Sequence, residues 1–172
     1  NWISQFLSSY HGYDPQTTGA RAVAYFWGLM TAGGVAGLML LKIMDSRKVL
    51  IIFTLLAILC LCLALFGPAG VSLVAFPLTG FFASVMYPVI FSLALNSVTE
   101  HHGSFAGILV TGIIGGALIP LVIGWLGDQL GLRFGMLFLF VTMGYILSVG
   151  FWAKPIITNK TIDLFKKENE VT

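Results

Sequence analysis

The chain has 172 residues, 58% of them hydrophobic and only 9% charged, with a formal net charge of +2 and a mean hydropathy of +0.95. A soluble domain carries about 25% charged residues, so this composition excludes a water-soluble globular domain and describes a polytopic membrane protein. The net charge is too small to suggest a nucleic-acid partner.

The predicted elements run as follows. Asn1–Tyr10 (NWISQFLSSY) is shorter than the about 20 residues a span needs. It is expected to be the outer end of a helix that starts before Asn1, so the chain reads as a piece of something longer. HGYDPQTT, 11–18, is a turn-rich loop. The first complete span, 22–43, has 22 residues, roughly 33 Å of helix. Asp45–Lys48 is a short charged loop. A second span covers 49–66 and ends at the GPAG turn. The third span, 71–98, is interrupted by Pro77 and Pro88 and precedes the polar TEHH at 99–102. The fourth covers 104–126, the loop GDQLGLR follows, and the fifth covers 134–153. A polar tail, 154–172, closes the chain. The fold class expected is all-α: a bundle of five complete spans plus the end of a sixth, with short loops that make neighbouring helices antiparallel.

The fourth span is unusual for its small residues. Gly107, Thr111 and Gly115 fall four apart, as do Gly112, Gly116 and Pro120. Such rows let neighbouring helices approach closely, so this helix is expected to be buried among others on at least two sides. Gly33 and Gly37 make a similar pair in the first span.

Charge sets the expected orientation. Lys42, Arg47, Lys48, Lys154, Lys160, Lys166 and Lys167 fall on one side, and only Arg21 and Arg133 on the other. By the positive-inside rule the Asp45–Lys48 loop and the tail are cytoplasmic, in a cell membrane. Trp2 and Trp125 then belong to the outer interface and Trp152 to the inner one. No carboxylate falls within a span, so no proton-coupling acid is visible; a charge there costs at least about 2.5 kcal/mol. Cys60 and Cys62 are expected to face lipid, with too few nearby ligands for a metal. His101 and His102 read as solvated loop residues. No nucleophile–base set, phosphate loop or cofactor motif appears, so an enzyme is not expected.

A few polar and aromatic side chains can meet a solute. Asn1 and Gln5 share a face of the first helix and can bond either a polar solute or a neighbouring helix. Trp27, beside Tyr25, suits the flat face of a sugar ring or ordinary packing. Tyr87 shares a face with Gly80, Ser84 and Phe91, and either lines a cavity or bonds another helix. Asn96 and Ser92 share a roughly opposite face, where an interhelical bond is expected.

With these residues in view, the chain resembles the C-terminal half of a major facilitator superfamily transporter, in the fucose permease branch of fucose, galactose and glucose:proton symporters. NWISQFL is similar to the outer end of that family's seventh helix, and Tyr25–Leu50 to its eighth helix and following loop. Met86–Val98 (MYPVIFSLALNSV) is similar to the tenth helix, and Ile113–Asp128 (IIGGALIPLVIGWLGD) to the eleventh. Gly34 departs from the Gly-Arg the eighth helix usually carries. The resemblance implies a twelve-helix transporter working by alternating access, with a proton-coupling carboxylate in its N-terminal half and the solute held between the halves. It makes Asn1, Gln5, Trp27, Tyr87 and Asn96 the candidate substrate-side residues, in a protein whose partners are the lipid bilayer, a small neutral solute such as a sugar, a coupling proton and its own N-terminal half. Gly33 and Gly37 serve packing, Gly107, Gly112, Gly115, Gly116 and Pro120 let the eleventh helix pack and bend, and Arg47 and Lys48 lie at the cytoplasmic mouth. Two other readings stay open: a facilitator exporter or permease of a drug or other metabolite, and a membrane protein that transports nothing.

Overall fold

The computed structural model describes residues 1–157, all helix and connecting turns. Most of the expected polar tail lies outside the described residues. Helix α1 (Trp2–His11) is followed by a π turn (Pro15–Gly19) that runs into α2 (Ala20–Leu41). Helix α3 spans Ser46–Phe66, α4 Ala69–Ala83 and α5 Met86–Leu95. Helices α6 (His102–Thr111) and α7 (Gly115–Leu130) are joined through one 3-10 turn, and α8 spans Leu132–Trp152. Among the described residues, five helical stretches are long and apolar enough to cross a bilayer: Pro15–Leu41, Ser46–Phe66, Ala69–Leu95, His102–Leu130 and Leu132–Trp152.

Local chemistry explains the element ends. The Asn1 side chain accepts the Ile3 N–H at 3.1 Å and starts α1. Gly12, at φ 70°, ends it in the left-handed conformation that a side chain disfavours. Asp14 accepts the backbone N–H groups of Gln16 and Thr17 and the Thr17 hydroxyl, so the turn-rich loop is a capped helical start. Asp45 accepts the Arg47 N–H at 2.9 Å and caps α3. The third span is two helices, because Pro88 has no N–H for the carbonyl of Ser84, and the chain leaves the helix at Ser84–Val85. The expected 127–133 loop is far tighter. Helix α7 runs to Leu130 and only Gly131, at φ 91°, turns the chain into α8.

The core lies around α3 and α4. Leu50, Leu61 and Leu65 of α3 and Phe76 of α4 are fully buried, joined by Phe6 and Leu7 of α1. Phe6 meets Phe76 edge to face at 5.4 Å. Helix α2 packs along α4, α3 along α4 and α8, and α7 along α8. Glycine makes the α2–α4 crossing possible. A β-carbon on Gly33 would lie 2.7 Å from the Ser84 hydroxyl and closer still to the Phe81 carbonyl oxygen. One on Gly37 would run into the Val85 side chain, and one on Gly80 would lie 2.7 Å from the Phe26 carbonyl oxygen. Within lipid, this close backbone approach supplies the van der Waals contact that holds helices together.

The glycine-rich fourth span behaves otherwise, and the expectation that it is buried on two sides is corrected. β-Carbons built on Gly103, Gly107, Gly112, Gly115 and Gly116 meet nothing within 4 Å. Helix α7 packs on α8 through its last turns, where Gly127 and Gly135 touch, and Ile123 is its one buried residue. A small-xxx-small row marks a face able to receive a helix; no described residue supplies one there.

The cysteines also need correction. Cys62 is exposed, but Cys60 is buried. Two residues apart on a helix is about 200° of rotation, so both cannot face lipid.

Two ends of the bundle are pinned by polar contacts. At one end, the Ser72 hydroxyl donates to the Ala64 carbonyl at 2.8 Å, which leaves His11 Nε2–H to donate to Ser72 Oγ at 3.0 Å. At the other, Arg47 bonds the Ala153 carbonyl at 3.4 Å and pairs with Asp45 at 3.5 Å. There too the Asn96 carbonyl accepts the N–H of Ile156 at 2.8 Å.

Candidate functional site

A cleft of about 610 Å³ opens between α1, α2 and α4 on one side and α7 and α8 on the other. Asn1 and Trp2 come from the first turn of α1, Phe26 and Trp27 from α2, and Thr79 from α4. Gly115, Gly116 and Pro120 of α7 and Thr142 of α8 complete the polar and small-residue lining. The remaining wall is aliphatic, with Ile119, Ile123 and Leu139 among it.

Among the described residues, no acidic or basic side chain lines this cleft. Trp27 meets Phe26 edge to face at 5.5 Å and is 58% exposed, so it offers a free aromatic face. The Thr79 hydroxyl donates to the Ala75 carbonyl at 2.9 Å and the Thr142 hydroxyl to the Leu139 carbonyl at 2.8 Å. Each threonine proton is therefore spent on its own helix, and each oxygen keeps acceptor capacity. The Asn1 side-chain oxygen accepts the Ile3 N–H, and its side-chain N–H₂ remains to donate. The arrangement can hold an uncharged solute through aromatic contact and a few hydrogen bonds. A charged solute would be left without a counter-ion at membrane depth.

The sequence-derived residues divide. Asn1 and Trp27 reach the cleft together with Gly115, Gly116 and Pro120. Gln5 is exposed on α1 away from it, and Gly33 and Gly37 are used at the α2–α4 crossing. Tyr87 lies beyond the Ser84–Val85 break, half exposed, its ring 5.9 Å from Phe91. Asn96 caps α5 and donates to Ser92 at 3.4 Å, so these two share a face as the spacing implied. Arg47 and Lys48 sit at the start of α3, Arg47 held by Asp45 and Lys48 exposed. Gly107 and Gly112 lie on the open side of α6 and the 3-10 turn. Sequence reasoning passed over Thr79 and Thr142. Their signal was a hydroxyl in an otherwise apolar stretch, which back-bonding within a helix makes common.

A helical bundle of membrane-length spans around an uncharged cleft defines a multi-pass membrane protein. A model of the Major Facilitator Superfamily matches residues 2–167, and the chain belongs to that superfamily. The chain is 33% identical over 135 residues to a glucose/galactose transporter of Brucella abortus, covering 78% of this chain and 33% of that protein. It is 33% identical over 117 residues to a putative glucose/galactose transporter of Helicobacter pylori, covering 68% of this chain and 28% of the relative. It is 30% identical over 120 residues to the L-fucose-proton symporter of Escherichia coli, covering 68% and 27%. The chain thus spans about a third of the length of the curated relatives it matches. No solved structure matches it significantly. The resemblance to the fucose permease branch and the all-α class are borne out. The relatives are transporters by name, in agreement with the expectation that the chain is not an enzyme.

Proposed function

We propose that the chain is the C-terminal half of a proton-coupled uptake carrier for a neutral monosaccharide that works by alternating access. The observation that carries this reading is its likeness to a glucose/galactose transporter and to an L-fucose-proton symporter. The cleft supports it: the described residues that line it carry no charged side chain, and Trp27 presents an aromatic face of the kind that packs on a sugar ring. On this reading Asn1, Gln5, Trp27, Tyr87 and Asn96 act on the substrate side. The open face of Gly107, Gly112, Gly115 and Gly116 receives a helix of the N-terminal half, and Pro120 lets the helix bend as the cavity opens. The coupling carboxylate belongs to that other half. The protein lies in the cell membrane with Arg47, Lys48 and the C-terminus cytoplasmic.

A second reading is an exporter of an apolar solute, favoured by one observation. Thr79 and Thr142 already donate within their own helices, so the wall is mostly aliphatic. The test is uptake of labelled fucose, galactose, glucose and mannose by the full-length protein, in cells lacking hexose carriers, with and without a protonophore. Saturable uptake of one sugar, abolished by the protonophore, is expected. No uptake of any sugar by protein present in the membrane would overturn the sugar reading and favour the exporter.

A further inference from the structure

We propose that a second groove, between α2 and α4, holds an acyl chain of an anionic phospholipid whose phosphate rests on Arg21. The groove measures about 470 Å³. Its wall is Leu29, Leu73, Val74, Pro77 and Leu78, with Tyr25 beside them and Thr18 and Arg21 at the mouth. On α4, at 100° per residue, Leu73, Val74, Pro77 and Leu78 lie opposite Phe76 and Thr79, which face the central cleft. The groove is therefore on the outside of the bundle. From Arg21 to Leu29 is eight residues, about 12 Å of helix, which fits within one leaflet of a hydrocarbon core about 30 Å thick.

Charge complementarity selects the occupant. Among the described residues, two arginines lie at this end of the bundle. Arg133 is engaged by aromatic rings, 4.5 Å from the centre of Tyr10 and 5.7 Å from that of Phe6. Arg21 is exposed and makes no hydrogen bond or ion pair with any described residue. The acid nearest to it in sequence, Asp14, spends its carboxylate on Thr17 and on the N–H of Gln16. A guanidinium fork matches phosphate oxygens in pairs, and Thr18, half-buried at the same mouth, carries a hydroxyl able to donate to that phosphate. Tyr25, 64% exposed, has the amphipathic ring that settles at the headgroup boundary.

The test is native mass spectrometry of the full-length protein, titrated in detergent with phosphatidylglycerol and, separately, with phosphatidylcholine of the same chain lengths. The wild type is expected to retain phosphatidylglycerol about fivefold more strongly, the effect of one interfacial cation on an anionic lipid. Arg21→Gln abolishes that preference and Arg21→Lys keeps most of it. Val74→Trp, which fills the groove, lowers retention of both lipids. Arg21 makes no bond with any described residue, so an unchanged melting temperature for Arg21→Gln confirms that only the lipid contact is lost. Equal retention of the two lipids by the wild type, or undiminished phosphatidylglycerol binding by Arg21→Gln, would overturn the proposal.

Discussion

The guanidinium of Arg133 stands 4.5 Å from the ring centre of Tyr10, and the backbone N–H of Arg133 donates to the Tyr10 hydroxyl at 3.1 Å. One tyrosine thus binds the start of α8 twice and ties it to the end of α1. The two bonds separate by mutation. Tyr10→Phe removes the hydroxyl acceptor and is expected to cost about 1 kcal/mol. Tyr10→Ala removes the ring as well and costs about 1–2 kcal/mol more. Thermal unfolding in detergent measures both, and equal losses for the two variants would mean that the ring face contributes nothing.

Gly33 is the point of the α2–α4 crossing where an added β-carbon would come closest to backbone. Gly33→Ala puts a methyl group against the Phe81 carbonyl and the Ser84 hydroxyl, both part of the turn where α4 ends. Backbone cannot step aside as a flexible side chain can, so a loss of about 1–3 kcal/mol is expected. A melting temperature equal to the wild type would show that the crossing is looser than described.

Gly112 provides the opposite case. A methyl group there meets nothing within 4 Å, and alanine favours helix over glycine by about 1 kcal/mol. Gly112→Ala should therefore leave this bundle as stable as before or slightly more so. If the glycine face receives the N-terminal half, Gly112→Trp in the full-length protein should abolish transport while the protein still reaches the membrane. Full transport by that variant would show that the face is not an interface.

Asp14 sets a pH dependence at the entry to α2. The Thr17 hydroxyl bond, followed by the N–H bonds of Gln16 and Thr17, outweighs desolvation and holds its carboxyl below the usual carboxylate value. A carboxyl lowered in the folded state stabilises the fold above its ordinary value, about 3.9. That contribution disappears as pH falls through the lowered value. Asp14→Ala should remove the contribution at neutral pH and flatten the acid limb of the stability profile below pH about 4. Melting curves across pH 2–7 would reveal it, and parallel profiles for wild type and variant would refute it.

Much of the architecture was legible in the sequence because a bilayer imposes a coarse rule. A span must be about 20 apolar residues and its backbone must bond to itself. Composition and hydropathy therefore sufficed for the all-helical class and the multi-pass character. The motifs in 86–98 and 113–128 sufficed for the family. Asn1 and Trp27 were recognisable as cleft residues because each is a polar or aromatic group near the end of an apolar stretch.

What only the tertiary structure decided was which of several equivalent faces is used. The spacing of Gly33 and Gly37 resembles that of Gly112 and Gly116, yet the first pair seats another helix and the second stands open. Arg21 and Arg133 look alike in sequence, yet one guanidinium lies over a tyrosine ring and the other has no partner among the described residues. Thr79 meets Asn1 at a cleft although 78 positions separate them. Periodicity reports how residues are arranged around one helix. Which face meets a neighbour depends on the crossing of two helices, and that is a property of the pair, written in neither sequence segment alone.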